Sequence, residues 1–143
     1  MLANEAALAQ VAALPVRFAD DGSPEVMLIT SRETQRWIIP KGWPMAGLND
    51  SQAAAREARE EAGLVGRVEK RPVGSFSYWK RLPGHFAFCT ARVYLLHVER
   101  QLKDWKEKGQ RRCEWLPPEA AAELVEEPGL KAILRDLRRH LSR

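Results

Sequence analysis

Hydrophobic residues early in the chain come in short dense runs broken by turn formers, the pattern of buried strands. Residues 11–18 and 26–30 are two such runs, and the cluster Asp20, Asp21, Gly22, Ser23 and Pro24 between them predicts a hairpin. Trp37, Ile38 and Ile39 form a third short strand that Pro40 stops. Residues 41–49, with two glycines and a proline, are expected to be loop. The pattern then becomes helical. Residues 51–62 are strong helix formers, preceded by the capping candidates Asn49, Asp50 and Ser51 and followed by Gly63 where a left-handed C-terminal residue belongs. Ala54, Ala55, Ala58 and Ala62 give this helix a small side that can lie close to a sheet.

Residues 73–80 and 87–98, rich in aromatic and β-branched side chains, predict two more strands around Leu82, Pro83 and Gly84. Pro117, Pro118 and Glu119 open a short helix through Val125, since proline suits a first helical turn. Leu130, Ile133, Leu134, Leu137 and Leu141 then fall on one face of a final helix over residues 130–141. Strands, loop, helix, strands and two helices, in that order, predict an α/β protein with helices packed on a mixed sheet.

Composition adds bounds. With 143 residues, 45% hydrophobic and 29% charged, the chain has material for one core and is read as a single domain over residues 1–143. The net charge of +4 is concentrated at the end, where Arg135, Arg138, Arg139 and Arg143 face only Asp136. Such arginines suit the negative end of a last helix, so nucleic acid is not the expected partner. Cys89 and Cys113 lack the spacing of a zinc site or a disulfide framework. The apolar start over residues 6–14 lacks the basic flank of a signal peptide, and no apolar run approaches the ~18 residues of a membrane helix. Cytoplasmic residence with no membrane partner is the expectation.

The chemistry concentrates in the segment Arg56, Glu57, Ala58, Arg59, Glu60, Glu61, Ala62, Gly63. At ~100° per residue, Glu57, Glu60 and Glu61 share an arc of roughly 100° on the helix. Arg56 with Glu60 is an ordinary ion pair one turn apart, which a solvated helix face would also show. Glu57 with Glu61, however, is a like-charge pair at the same spacing and asks for a cation between its members. A hard divalent ion, bound by one or two carboxylates and by substrate phosphates, meets that demand. Gly42 and Gly47 in the preceding loop let backbone approach a ligand.

Gly42 followed by Arg56-Glu57-Ala58-Arg59-Glu60-Glu61-Ala62-Gly63-Leu64 resembles the Nudix box, spanning residues 42–64. Every fixed position of the pattern matches except one, where Leu48 stands in place of its first glutamate. Trp37 to Gly42, Leu102 to Trp105 and Arg111 to Leu116 further resemble the branch of that family that hydrolyses diphosphoinositol polyphosphates and diadenosine polyphosphates. The resemblance implies an α/β/α sandwich with a mixed sheet between helices. It also implies a magnesium- or manganese-dependent hydrolase of phosphoanhydride bonds in a small polyphosphate.

By motif position, it implies Glu57, Glu61 and the carbonyl of Lys41 as metal ligands, Glu60 as general base and Arg56 as the residue that orients a glutamate. Arg111, Arg36, Arg32 and the Lys41 side chain are expected to bind phosphate, with Glu107 as a possible extra acid. Other readings stay open: a pyrophosphatase of nucleoside triphosphates, sugar nucleotides or RNA caps, or a non-catalytic nucleotide-binding module motivated by Leu48. Trp37, Tyr78, Trp79, Trp105 and Trp115 are candidates to stack on a base, although tryptophans in a small domain more often serve packing. His85, His97 and His140, widely separated, are expected to be structural. Substrate and oligomeric state are not fixed by the sequence.

Overall fold

The protein is described by a computed structural model over residues 7–142. Residues 1–6 and Arg143, which include part of the apolar start and of the arginine tail, lie outside the described residues. Eight strands form one sheet: β1 (Leu8–Phe18), β2 (Pro24–Thr30), β3 (Trp37–Ile38), β4 (Lys41–Gly42), β5 (Leu64–Val68), β6 (Gly74–Leu82), β7 (His85–Gln101) and β8 (Cys113–Leu116). Three helices cover it: α1 (Asp50–Ala62), α2 (Pro118–Leu124) and α3 (Pro128–Leu141). The order β3-β2-β1-β7-β5 forms the main path, with β4 on β1, β6 on β7 and β8 on β2. β1 and β7 run parallel and the other pairs antiparallel, so the sheet is mixed.

The unbroken apolar run of β1 follows from its central place, since a strand covered on both faces has no need of alternation. Its even positions, Ala12, Leu14 and Val16, join Leu130, Leu134 and Leu137 of α3 and Ala121 and Ala122 of α2 in one core. Its odd positions, Val11 and Ala13, join Ala53, Ala54, Ala58 and Ala62 of α1 in the other. The result is the expected α/β/α sandwich. The hairpin of β1 and β2 is present, with Val16 opposite Val26.

Three short strands depart from the sequence reading. Lys41 and Gly42, expected in a loop, pair with Ala12 and Val11 of β1, which fixes where the loop begins. β5 follows Gly63 at once, and its Gly66 sits at a bulge where an added Cβ would lie 2.0 Å from the His97 carbonyl oxygen. β8, four residues long, has too little pattern to be read alone and is a strand because β2 offers it an edge. β6 and β7 also run further than expected, up to a tight turn in which Gly84 takes a φ of 77°.

The histidines illustrate what sequence separation hides. His97 on β7 and His140 in the last turn of α3 both meet Glu69, at 2.7 Å and 3.4 Å, and so tie the end of that helix to the sheet. In α3, Arg138 makes a two-pronged bond to Glu119 of α2 at 2.6 Å and 3.0 Å, so this arginine is occupied within the fold. No helix among the described residues is long and apolar enough to cross a membrane.

Candidate active site

The α1 backbone is fixed at both ends. Asn49 caps it with a reciprocal pair of bonds, its side chain accepting from the Gln52 N–H at 2.9 Å while the Gln52 side chain accepts from the Asn49 N–H at 3.0 Å. Gly63 closes it in the left-handed region, and a Cβ there would meet the Trp105 ring at 2.3 Å. With four alanines buried beneath it, the helix has little freedom to shift or roll on the sheet, and the positions of its carboxylates are set by backbone.

Glu57, Glu60 and Glu61 line one wall of a cleft of about 440 Å³. Arg32 and Arg36, from the connection after β2, line it too, as do Lys41, Gly42 and Trp43 at the start of the loop into α1. Tyr78, Trp79, Lys80 and Arg81 come from β6, and Lys106, Glu107 and Arg111 from the segment before β8. That segment is tied to the helix end by the Glu107 N–H donating to the Glu60 carbonyl at 3.0 Å. Gly42 has a specific reason to be glycine, because a Cβ would lie 2.4 Å from the Glu57 carboxyl carbon.

The electrostatics follow from this crowding. Burial raises both Glu57 and Glu61 above the ordinary carboxylate range. Glu61, 5% exposed, is the more deeply buried of the two, and repulsion from Glu57 and Glu107 adds to the effect of burial. Arg111 opposes it. Its buried guanidinium stands 3.8 Å from Glu61, donates to Glu107 at 2.8 Å and donates to the Thr30 carbonyl at 3.1 Å. Lys41 is recessed in the same cleft, where burial pushes its ammonium down to about 8 against the attraction of Glu61 and Glu127. Glu127 is itself buried, with Oε1 unpartnered and Oε2 3.9 Å from Arg36.

A profile described as NUDIX domain matches residues 8–137 of this chain. The chain belongs to the Nudix family. It is 28% identical over 123 residues to "Nudix hydrolase 12, mitochondrial" of Arabidopsis thaliana, covering 80% of this chain and 59% of that protein. It is 34% identical over 112 residues to "Diphosphoinositol polyphosphate phosphohydrolase 3-alpha" of Homo sapiens, covering 76% and 65%. The match thus spans less than two thirds of either relative. The C. elegans Ap4A hydrolase, in a binary complex, shares the fold with a TM-score of 0.68 at 19% identity, covering 94% of this chain and 98% of that one.

The Nudix box occupies the loop and helix that build the acidic wall. Of the residues expected to act, Glu57, Glu60, Glu61, Lys41, Arg32, Arg36, Glu107 and Arg111 all line the one cleft. Arg56 does not; it lies on the outer flank of α1 and reaches Glu60 at 3.3 Å. Leu48, where the box pattern has glutamate, lines a separate cavity of about 280 Å³ with Ala55, Leu64 and Leu96. Sequence reasoning missed Lys80, Arg81, Trp43 and Gln10 in the cleft lining, and Glu127 beside it. Their place as adjacent basic residues at the end of an aromatic strand run was the signal for the first two. None existed for Glu127, whose place depends on how α3 docks.

Nudix hydrolases as a family use divalent cations, and the donor set here suits a hard one. Among the described residues no three acidic, histidine or cysteine side chains converge closely enough to hold an ion alone. Two facing carboxylates beside a phosphate-sized cleft are nevertheless what magnesium uses when substrate completes its shell. A glycine whose Cβ would fill the Glu57 position agrees with a cradle kept open.

Proposed function

We propose that this chain is a divalent-cation-dependent pyrophosphohydrolase that cleaves a phosphoanhydride bond in a nucleoside or inositol polyphosphate, with magnesium or manganese as the ion. The observation that carries the reading is the juxtaposition of half-buried Glu57 and buried Glu61 with Lys41, Arg32, Arg36 and Arg111 in one cleft. Carboxylates alone would repel a polyphosphate, and basic groups alone would bind it without turnover. When bound, the cation neutralises phosphate charge and lowers the pKa of a coordinated water.

Glu57, Glu61 and the Lys41 carbonyl hold the ion in this reading. Glu60 takes the proton from the attacking water, its carboxylate kept in place by Arg56 at 3.3 Å and Lys106 at 3.8 Å. Lys41, Arg36 and Arg32 bind phosphate. Arg36 gives up its 3.0 Å bond to exposed Glu126, and Arg32 its 3.2 Å bond to Gln110, both of them surface contacts that cost little to break. Arg111 is less free, since it holds Glu107 in the cleft, so it contributes one guanidinium edge to substrate while bracing that extra acid.

A single domain over residues 1–143 and cytoplasmic residence belong to the same proposal. A second reading, a module that binds nucleotide without turnover, is motivated by Leu48. Leu48 lines the other cavity, so its loss of charge leaves the carboxylate wall intact, which supports the enzyme reading. Anion-exchange analysis of products, with magnesium and with chelator, tests it on diadenosine polyphosphates, a diphosphoinositol polyphosphate and ordinary nucleotides. Cleavage is expected to require the cation and to fall about 10²- to 10⁴-fold in Glu60→Gln, the range for a general base. Saturable binding with no product from any substrate overturns it in favour of the binding module.

A further inference from the structure

Three large aromatic side chains stand exposed together on the β6–β7 hairpin: Trp79 at 65%, Phe86 at 63% and Phe88 at 41%. The strand register places Trp79 opposite Phe88 and Arg81 opposite Phe86, so all four side chains share one face of the hairpin. Trp79 and Phe88 touch in a tilted arrangement, ring centroids 5.0 Å apart and planes at 59°, which fixes the indole while leaving much of its surface open. Clustered exposed apolar surface of this kind normally marks a binding site.

The remaining tryptophans are committed differently. Arg17 covers the Trp115 ring at 4.2 Å, Arg112 covers Trp37 at 5.3 Å, and Trp105 packs under Gly63 with Lys108 at 5.3 Å. Trp43 lines the cleft, but among the described residues no second ring backs it. Trp79 alone is exposed, braced by an aromatic neighbour and part of the cleft wall. Lys80 and Arg81, next to it on β6, line the same cleft, as do Lys41 and Arg36.

We propose that the Trp79 ring, braced by Phe88, is the platform on which the base of a nucleoside polyphosphate stacks while its phosphates lie among Arg81, Lys41 and Arg36. This rests on the hydrolase reading above and narrows it to substrates that carry a planar, uncharged ring beside several phosphates. An inositol polyphosphate presents charged phosphates around its ring and no flat face, so an open indole in the wall offers it nothing. Stacking tolerates any base, so the platform selects nucleotides as a class.

Steady-state kinetics on diadenosine tetraphosphate and on inorganic tripolyphosphate, which has no base, test the proposal. Trp79→Ala is expected to lower the ratio of the two kcat/KM values by about tenfold, within the roughly 5- to 150-fold range that loss of one stacked base implies, mainly through KM for the nucleotide. Trp79→Phe is expected to keep most of the ratio and Trp79→Leu to lose it, because a flat ring and not apolar bulk is required. Phe18→Ala, an exposed aromatic at the far end of β1, serves as control and leaves both substrates unaffected.

An unchanged ratio in Trp79→Ala overturns the inference, as does a wild type that cleaves a diphosphoinositol polyphosphate and no nucleotide; the hydrolase reading survives either result. Absence of any cleavage defeats that reading instead, and the platform is then judged by tryptophan fluorescence. Saturable quenching by ADP that tripolyphosphate does not cause and that Trp79→Phe abolishes upholds it; quenching that persists in Trp79→Phe refutes it.

Discussion

On one face of the sheet α3 closes the core with Leu130, Leu134 and Leu137; on the other, α1 closes it with Ala53, Ala54, Ala58 and Ala62. The leucines bury much apolar area and hold their helix by interdigitation, at roughly 25 cal/mol for each Å² removed from water. The alanines bury little, yet they bring the α1 backbone close to the strands, and the capping box and Gly63 fix its ends. One face is built for stability and the other for position. The titratable groups agree with this division: the acids whose pKa burial raises, Glu57 and Glu61, stand on α1, whereas Glu119 and Glu123 of α2 form exposed ion pairs with Arg138 and Arg135 of α3.

The contrast can be broken from either side. Leu134→Ala, in the packed core under α3, is expected to cost about 2–5 kcal/mol in denaturant unfolding while activity per folded molecule stays near wild type. Equal losses of stability and of kcat would show that the two faces are not separable. Gly42→Ala acts on the other side. Its Cβ forces the end of the Glu57 side chain to move, so activity is expected to fall about 10²-fold, the scale of a misplacement near 1 Å, with the unfolding midpoint little changed. A variant of normal activity would mean that Glu57 is not held where the close approach places it.

The smallest effect concerns the tie between the faces at Glu69. Burial raises this carboxyl, but hydrogen bonds from His97 and His140 outweigh it and leave the pKa lowered. A lowered folded-state value means that the stabilisation is present above the ordinary carboxylate range and is lost as pH falls through the folded pKa. Glu69→Gln is therefore expected to cost at most ~1 kcal/mol near pH 6 and to unfold with less dependence on pH below 4, as thermal melts across that range would show. An identical acid profile would remove Glu69 from the account of acid sensitivity.

The readable parts of this chain were those governed by local rules. The α1 helix, its Asn49 cap and its Gly63 end follow from backbone conformation and side-chain hydrogen bonding within a few residues. The apolar face of α3 follows from helical periodicity, and the hairpin of β1 and β2 from its turn cluster. The spacing of Glu57, Glu60 and Glu61 placed three carboxylates on one side of a helix before any fold was known. The short strands β4, β5 and β8 were not readable, because two to five residues carry too little pattern and become strands only where β1, β7 and β2 offer an edge.

What the tertiary structure decided is which distant groups share a space. It buried Glu127 beside Arg36, gathered His97 and His140 on Glu69, turned Leu48 away from the carboxylate wall, and left Trp79 open while cations came to lie over Trp37, Trp105 and Trp115. The physical reason is range. Helix propensity, capping and periodicity act between residues a turn or two apart and are therefore written in the sequence. Desolvation and charge coupling depend on through-space distance between segments, which exists only once the sheet has brought them together.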